Sequence, residues 1–274
     1  MNERPPTALL LAAERAITEG ARILRQGRSH VGALVAKGDR DFATAVDVAI
    51  EGAIKAILTA DAPEIPFLGE EEGGATIDEG ILWILDPIDG TVNFAHGSPL
   101  CAISLALVED GRPMLAVVDL PLLDERYVAA SGAGAYRNGH RIQVSKVNRL
   151  AEATVGMSDF AVGSDAKPEN PVHLELTRAL ASQALRIRMH GSEAVDLAWL
   201  ASGRLDATVM LASRPWDVSG GVLLVREAGG IVVDAGGAPH LSRSASTLAS
   251  APALQEPLVR LVSEASGRAH QAAG

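Results

Sequence analysis

The apolar run Ile81-Leu82-Trp83-Ile84-Leu85 leads straight into Asp86-Pro87-Ile88-Asp89-Gly90-Thr91, and no other junction constrains this chain as much. Such a run, closed by Pro and Gly, predicts a strand buried on both faces, which needs packed layers above and below it. The strand also delivers carboxylates to a sheet edge. A second run, Ile65-Pro66-Phe67-Leu68 before Glu70, does the same.

The flanking patterns supply the layers. Leu9, Leu10, Ala13, Ala16, Ile17, Ala21 and Leu24 recur at helical spacing and predict an amphipathic helix from Thr7 to about Arg25. A second helix is expected after Thr44, with Val46, Ile50, Ile54 and Ile57 on one stripe and Asp47, Glu51 and Lys55 on others. Between Cys101 and Val144, turn-forming groups such as Ser131-Gly132-Ala133-Gly134 and Arg137-Asn138-Gly139-His140 separate short strands, which fits an antiparallel sheet. The segment from Ser158 to Pro171 reads as loop. Beyond it come a helix over Val172 to Ala184, a strand over Leu185 to Met189 and a helix over Ser192 to Ser202. A strand over Leu205 to Leu211, a helix over Asp217 to Ala228 and a strand over Ile231 to Val233 follow, and the Ala-rich tail after Ser266 is expected to fray. The expected division is an N-terminal α+β part, 1–150, and a C-terminal α/β part, 151–274.

A chain of 274 residues, 47% hydrophobic and 21% charged, can bury a proper core. Its formal charge of −10 and its lack of Lys/Arg clusters argue against a nucleic-acid polymer or a membrane surface as partner. The single cysteine, Cys101, excludes an internal disulfide framework or a Cys-based zinc site. No apolar run reaches membrane-spanning length, and the stretch Thr7 to Ala13 runs into Glu14-Arg15 without a cleavage pattern. A cytoplasmic protein is expected.

The acidic residues point to metal chemistry. Magnesium prefers oxygen ligands, usually one or two carboxylates with waters and phosphate oxygens. In Asp86-Pro87-Ile88-Asp89-Gly90-Thr91, proline restricts the backbone after the first carboxylate, so a tight turn is expected to bring both Asp side chains to one side, with the Ile88 carbonyl as a further oxygen. Amides at Gly90 and Thr91 suit a phosphate, and the Thr91 hydroxyl a water. Taken singly, each residue has a plainer reading. Asp217 is also a helix N-cap, Glu70-Glu71-Glu72 an acidic loop, Asp47 a surface residue in a helix's first turn, and Thr91 a capping hydroxyl.

Taken together, Trp83-Ile84-Leu85-Asp86-Pro87-Ile88-Asp89-Gly90-Thr91-Val92-Asn93-Phe94 resembles the signature of the inositol monophosphatase family, within the lithium-sensitive, magnesium-dependent phosphatases. Three further blocks match in order: Asp41 to Asp47, Gly69-Glu70-Glu71, and Trp216-Asp217-Val218-Ser219-Gly220-Gly221 followed by Glu227-Ala228-Gly229-Gly230. The resemblance implies an α/β (α+β) fold, a layered αβαβα sandwich, and usually a homodimer. It implies that Glu70, Asp86 and the Ile88 carbonyl hold one Mg2+, that Asp86, Asp89 and Asp217 hold a second, and that Glu70 supports a third, weaker ion. By the same resemblance Thr91 and Asp47 orient the attacking water, Glu71 assists the metal shell, and Gly191, Ser192 and Glu193 contact the alcohol part of the substrate. His96 is a further candidate at the mouth of the site. The activity implied is Mg-dependent hydrolysis of a small phosphate monoester, inositol 1-phosphate first. Met210 stands where inositol-specific relatives carry a substrate-binding glutamate, which keeps histidinol phosphate, fructose 1,6-bisphosphate and 3'-phosphoadenosine-5'-phosphate in play. A catalytically weak regulatory protein with the same metal site is the alternative of another class.

Overall fold

The computed structural model describes residues 7–28, 35–36, 42–76 and 80–273. Asp41 of the first motif block lies outside them. Helix α1 (Thr7–Gly27) forms where the apolar spacing predicts, burying Ala13, Ala16, Ile17 and Leu24 completely. A fully buried Ile or Leu contributes about 1.5–3 kcal/mol. The two-residue strands β1 (Val35–Ala36) and β2 (Phe42–Ala43) pair antiparallel and lead to α2 (Ala45–Asp61). Thr44 caps α2: its Oγ1 accepts the Val46 N–H at 3.1 Å, and Asp47 accepts the Thr44 N–H at 2.9 Å. Asp47 and Glu51 do not face solvent as their stripe suggested; both are 0% exposed. They lie on the side of α2 turned toward polar backbone and hydroxyl partners.

Strands β3 (Phe67–Gly69), β4 (Gly73–Gly74) and β5 (Ile81–Asp89) open the first sheet, in which β3 and β5 run parallel. After the single turn α3 (Thr91–Ala95), the expected antiparallel meander follows: β6 (Ala102–Glu109), β7 (Arg112–Leu120), β8 (Glu125–Ala130), β9 (Gly134–Arg137) and β10 (His140–Arg141). The sheet has eight strands in the order β10-β9-β8-β7-β6-β5-β3-β4.

The second sheet starts at β11 (Thr154–Met157). Helix α4 (Ala166–Gln183) begins well before Val172, in the segment expected to be loop, and carries Pro171 inside it. Pro168 costs no bond because the first N–H groups of a helix lack intrahelical partners, whereas Pro171, the sixth residue, removes one from the second turn. Then come β12 (Arg186–Arg188), α5 (Glu193–Ala201), β13 (Ala207–Met210), α6 (Pro215–Glu227), β14 (Ile231–Val233) and β15 (Thr247–Ser250). The last helix, α7 (Gln255–Ala273), corrects the frayed tail. Alanine has the highest helix propensity, and Leu258, Leu261, Val262, Ala265 and Ala269 form a buried stripe. The five strands run β12-β11-β13-β15-β14.

Three cores stack these elements into the expected αβαβα sandwich. One joins α1 and α2 to the first sheet, a second packs α5 and α6 between the two sheets, and a third joins α4 and α7 to the outer face of the second. Helix α6 fits its slot because it presents glycine: a Cβ on Gly221 would stand 2.4 Å from Leu197 Cβ, and one on Gly220 2.9 Å from Ser104 Oγ.

Candidate active site

Strand β5 does not end in the expected tight turn. It stays in the sheet through Asp89, but its register against β6 shifts: Asp86 faces Ser104 while Asp89 faces Ala102. Three steps along one strand thus match two along the other, which is a bulge. In a regular strand, residues three apart point to opposite faces; the extra residue turns Asp86 and Asp89 to the same cavity. Gly90 then takes φ 89°, and a Cβ there would meet the carbonyls of Gly191 and Leu100 at 3.0 Å, so glycine is required on both counts.

Neighbouring elements complete the wall. The parallel pairing of β3 with β5 brings in Glu70, whose N–H donates to Leu85 O at 3.2 Å. Asp217 sits in the first turn of α6 and accepts the Arg214 N–H at 3.2 Å. Ser192 caps α5, its Oγ accepting the Val195 N–H at 3.2 Å and donating to Asp89 Oδ2 at 2.6 Å. The same Asp89 oxygen accepts the Ala194 N–H at 2.5 Å. Asn93 ties the two segments further, donating to the carbonyls of Leu100 at 2.8 Å and His190 at 2.6 Å. Thr91 Oγ1 lies 2.9 Å from Ile88 O and 3.2 Å from Asp47 Oδ1, both acceptors for its single proton.

The result is a cavity of about 220 Å³. It gathers Glu70, Asp86, Ile88, Asp89, Gly90, Thr91, Gly191, Ser192, Glu193 and Asp217, while Asp47 joins through Thr91. Glu71 is not on the wall. His96 is exposed and hydrogen-bonds Val92 O, away from the cavity, and Met210 is 0% exposed inside the core between the sheets. Sequence reasoning missed Asp159 and Asp196, which also line the cavity. Asp159 lay in the presumed loop; Asp196 follows Glu193 by one helical turn and pairs with His190 Nδ1 at 2.5 Å, a contact no sequence signal announces.

Among the described lining residues no Lys or Arg balances these acids. Burial, then the neighbouring charges of Glu70, Asp89 and Asp217, push the Asp86 carboxyl well above its usual range. Burial and the charges of Asp89 and Glu70 do the same to Asp217, and burial with Asp217 and Asp89 to Glu193. Burial raises Asp89 to about 7, although the hydrogen bonds from Ser192 and Ala194 oppose it. Burial also raises Asp47, against its bonds from Thr44. Without a cation, burial and mutual repulsion disfavour the ionised form of each of these groups.

A hard cation fits this donor set. The donors are oxygens only, Asp86 Oδ1 is buried with no hydrogen-bond partner, and the mutual repulsion is what a divalent ion relieves. The carboxylates do not close into a ready-made chelate: among the described residues no three His, Cys, Asp or Glu side chains are gathered tightly enough to hold an ion. Such a wall suits magnesium, which keeps several waters and takes phosphate oxygens as ligands.

The family model described as the inositol monophosphatase family matches residues 6–266. The chain is 38% identical over 253 residues to inositol-1-monophosphatase ImpA of Mycolicibacterium smegmatis, covering 92% of this chain and 91% of that protein. It is 40% identical over 207 residues to Nus factor SuhB of Xylella fastidiosa, 75% of this chain and 73% of that protein. Among solved structures, Thermotoga maritima IMPase superposes with a TM-score of 0.85 at 30% identity, covering 93% of this chain and 96% of that one.

Proposed function

Because the chain belongs to the inositol monophosphatase family, and is therefore a metal-dependent phosphoric monoester hydrolase, we propose that it uses Mg2+ to hydrolyse a small phosphate monoester, inositol 1-phosphate first. The observation that carries the reading is the convergence of Glu70, Asp86, Asp89 and Asp217 on one cavity that has no Lys or Arg among its described lining residues. In this reading Glu70, Asp86 and the Ile88 carbonyl hold one ion, Asp86, Asp89 and Asp217 a second, and Glu70 supports a weaker third. Bound there, the metal lowers the pKa of a coordinated water and neutralises the phosphate oxygens.

The chain's own groups do the rest. Thr91 Oγ1 donates its hydrogen bond to Asp47 Oδ1, which leaves its lone pairs to accept a hydrogen bond from the attacking water and aim it at phosphorus. Asp47 is suited to this because it is buried and itself held by Thr44. Backbone amides at Gly90 and Thr91 face the phosphate side, and Gly191, Ser192 and Glu193 face the alcohol. Glu193 Oε2 is buried without a partner, so it can accept a substrate hydroxyl. Met210, inside the core, cannot.

Phosphate release in magnesium from inositol 1-phosphate, histidinol phosphate, fructose 1,6-bisphosphate and 3'-phosphoadenosine-5'-phosphate tests the reading. Full activity of Asp89→Asn on the best substrate would sink the metal assignment. The likeness to proteins named Nus factor SuhB supports a second reading, a binding role with negligible turnover. Catalysis of any substrate in the panel at more than about 1 s⁻¹, the low end of ordinary enzyme turnover, decides against it. A homodimer is part of the proposal and is checked by light scattering.

A further inference from the structure

Glu51 lies on α2 one turn beyond Asp47, is 0% exposed, and does not line the cavity. Its two carboxyl oxygens receive consecutive backbone N–H groups: Glu71 N lies 3.0 Å from Oε2 and Glu72 N 2.8 Å from Oε1. On its other side the carboxyl group presses on Gly69, where a Cβ would stand 2.3 Å from Cδ and 2.4 Å from both oxygens. One carboxylate thus holds the two amides after Glu70 and packs against Gly69 before it, and the Glu70 N–H is fixed to Leu85 O at 3.2 Å.

The choice of a carboxylate here is costly on its face. Glu51 adds a buried acid beside the run Glu70-Glu71-Glu72, and Lys55, which pairs with Glu72 at 2.8 Å, offsets part of that charge from the exposed side. Glu72 is exposed and Glu71 only partly buried, but their amides turn inward to a carboxylate that is 0% exposed. What water cannot do is hold two successive amides at one orientation, as a two-oxygen acceptor does.

We propose that Glu51 is a positioning residue for Glu70: by clamping the amides of residues 71 and 72 it holds the Glu70 carboxylate toward the metal before the metal arrives. The proposal rests on the reading of Glu70 as a magnesium ligand. In Glu51→Gln the amide NH2 replaces one acceptor and faces an N–H donor, so one of the two bonds is lost.

Calorimetric titration of the metal-free full chain with Mg2+ tests it. Glu51→Gln is expected to raise the magnesium Kd about tenfold, or about 1.4 kcal/mol, while kcat at saturating magnesium falls less than threefold. In a Glu70→Gln background the Glu51→Gln change is expected to add nothing, because it acts through Glu70. Gly69→Ala, which displaces the Glu51 carboxylate at the flexible end of its chain, is expected to reproduce the loss. A lowered melting temperature with magnesium Kd within twofold overturns the proposal and leaves Glu51 a structural residue; additivity with Glu70→Gln overturns it as well. If Glu70→Gln alone leaves magnesium affinity unchanged, the ligand reading itself has failed. Should the Glu51 variant not fold, amide exchange in the metal-free native chain decides: slow exchange at Glu71 and Glu72 is expected, and unprotected amides refute the clamp.

Discussion

Replacing Asp89 by Asn separates what the carboxylate does for binding from what it costs the fold. Asp89 is 8% exposed, and burial raises its carboxyl from 3.8 to about 7. A group whose pKa is raised on folding contributes stability that is fully present below its unfolded value and is lost as pH rises through its folded one. For Asp89 the window runs from 3.8 to about 7. A shift of about 3 units at 1.36 kcal/mol each amounts to about 4 kcal/mol lost by pH 8 in the metal-free chain. Asn carries no charge, and its Oδ1 remains able to accept the bonds now made at 2.6 Å by Ser192 Oγ and 2.5 Å by Ala194 N.

Asp89→Asn is therefore expected to stabilise the metal-free protein at pH 8 by about 4 kcal/mol, roughly 10 °C in melting temperature. The gain should shrink by about 1.4 kcal/mol per pH unit below pH 7 and vanish near pH 4. Scanning calorimetry in chelator across this range measures it. Magnesium at a hundred times its Kd should cut the variant's advantage to about 1.3 kcal/mol, because an ion that binds only the native state stabilises by about 2.7 kcal/mol there, and the Asn variant forgoes that term. A variant less stable than the parent at pH 8 without metal, or a gain independent of pH, refutes the reasoning.

Three further outcomes follow from the same coordinates. Gly221→Ala puts a Cβ 2.4 Å from Leu197 Cβ and 2.6 Å from its Cδ1; overpacking of about 1–3 kcal/mol outweighs the gain of about 1 kcal/mol in helix propensity, and a lowered urea midpoint should show it. His240 is buried with its Nε2 at 2.9 Å from Thr247 Oγ1, and burial, then Arg226, lowers it from 6.5 to about 4. Its contribution is full above pH 6.5 and lost toward pH 4, so in saturating magnesium His240→Asn should remove about 3 kcal/mol of acid-side pH dependence from denaturation curves. Burial pushes the Cys101 thiol up to about 12; a thiol reagent at pH 8 should label it only as fast as the chain unfolds.

The parts of this site legible in the sequence were those encoded locally. An apolar run closed by Asp-Pro-Ile-Asp-Gly-Thr carries its own strand, and the structure keeps it while replacing the expected tight turn with a bulge. The bulge that aligns Asp86 with Asp89 was not legible, because it belongs to the pairing with Ser104 and Ala102 on another strand. The burial of Asp47 and Glu51 escaped for the same reason: a helical stripe sorts residues by polarity, whereas this face of α2 meets backbone amides and hydroxyls that accept no apolar side chain. Met210 shows the converse error. Its place along the motif suggested a wall residue, but β13 turns it into the core between the sheets.

Asp89 sets a limit on how such a site is able to change its substrate. One of its oxygens is spent on Ser192 and the Ala194 amide, and Asn93 holds the His190 carbonyl, so the start of α5 is fastened to the same strand end that carries the proposed metal ligands. A substitution that shifts the backbone of residues 190–194 therefore drags on Asp89 and degrades metal binding together with specificity. The Glu193 side chain escapes this constraint: it lines the cavity, its Oε2 has no partner, and none of the fastening bonds uses its atoms beyond the backbone. In the proposed reading the alcohol half of the substrate varies through Glu193 without moving the fastened backbone, and a change at residue 193 reaches the metal only through its charge, which acts on Asp217 and Asp89.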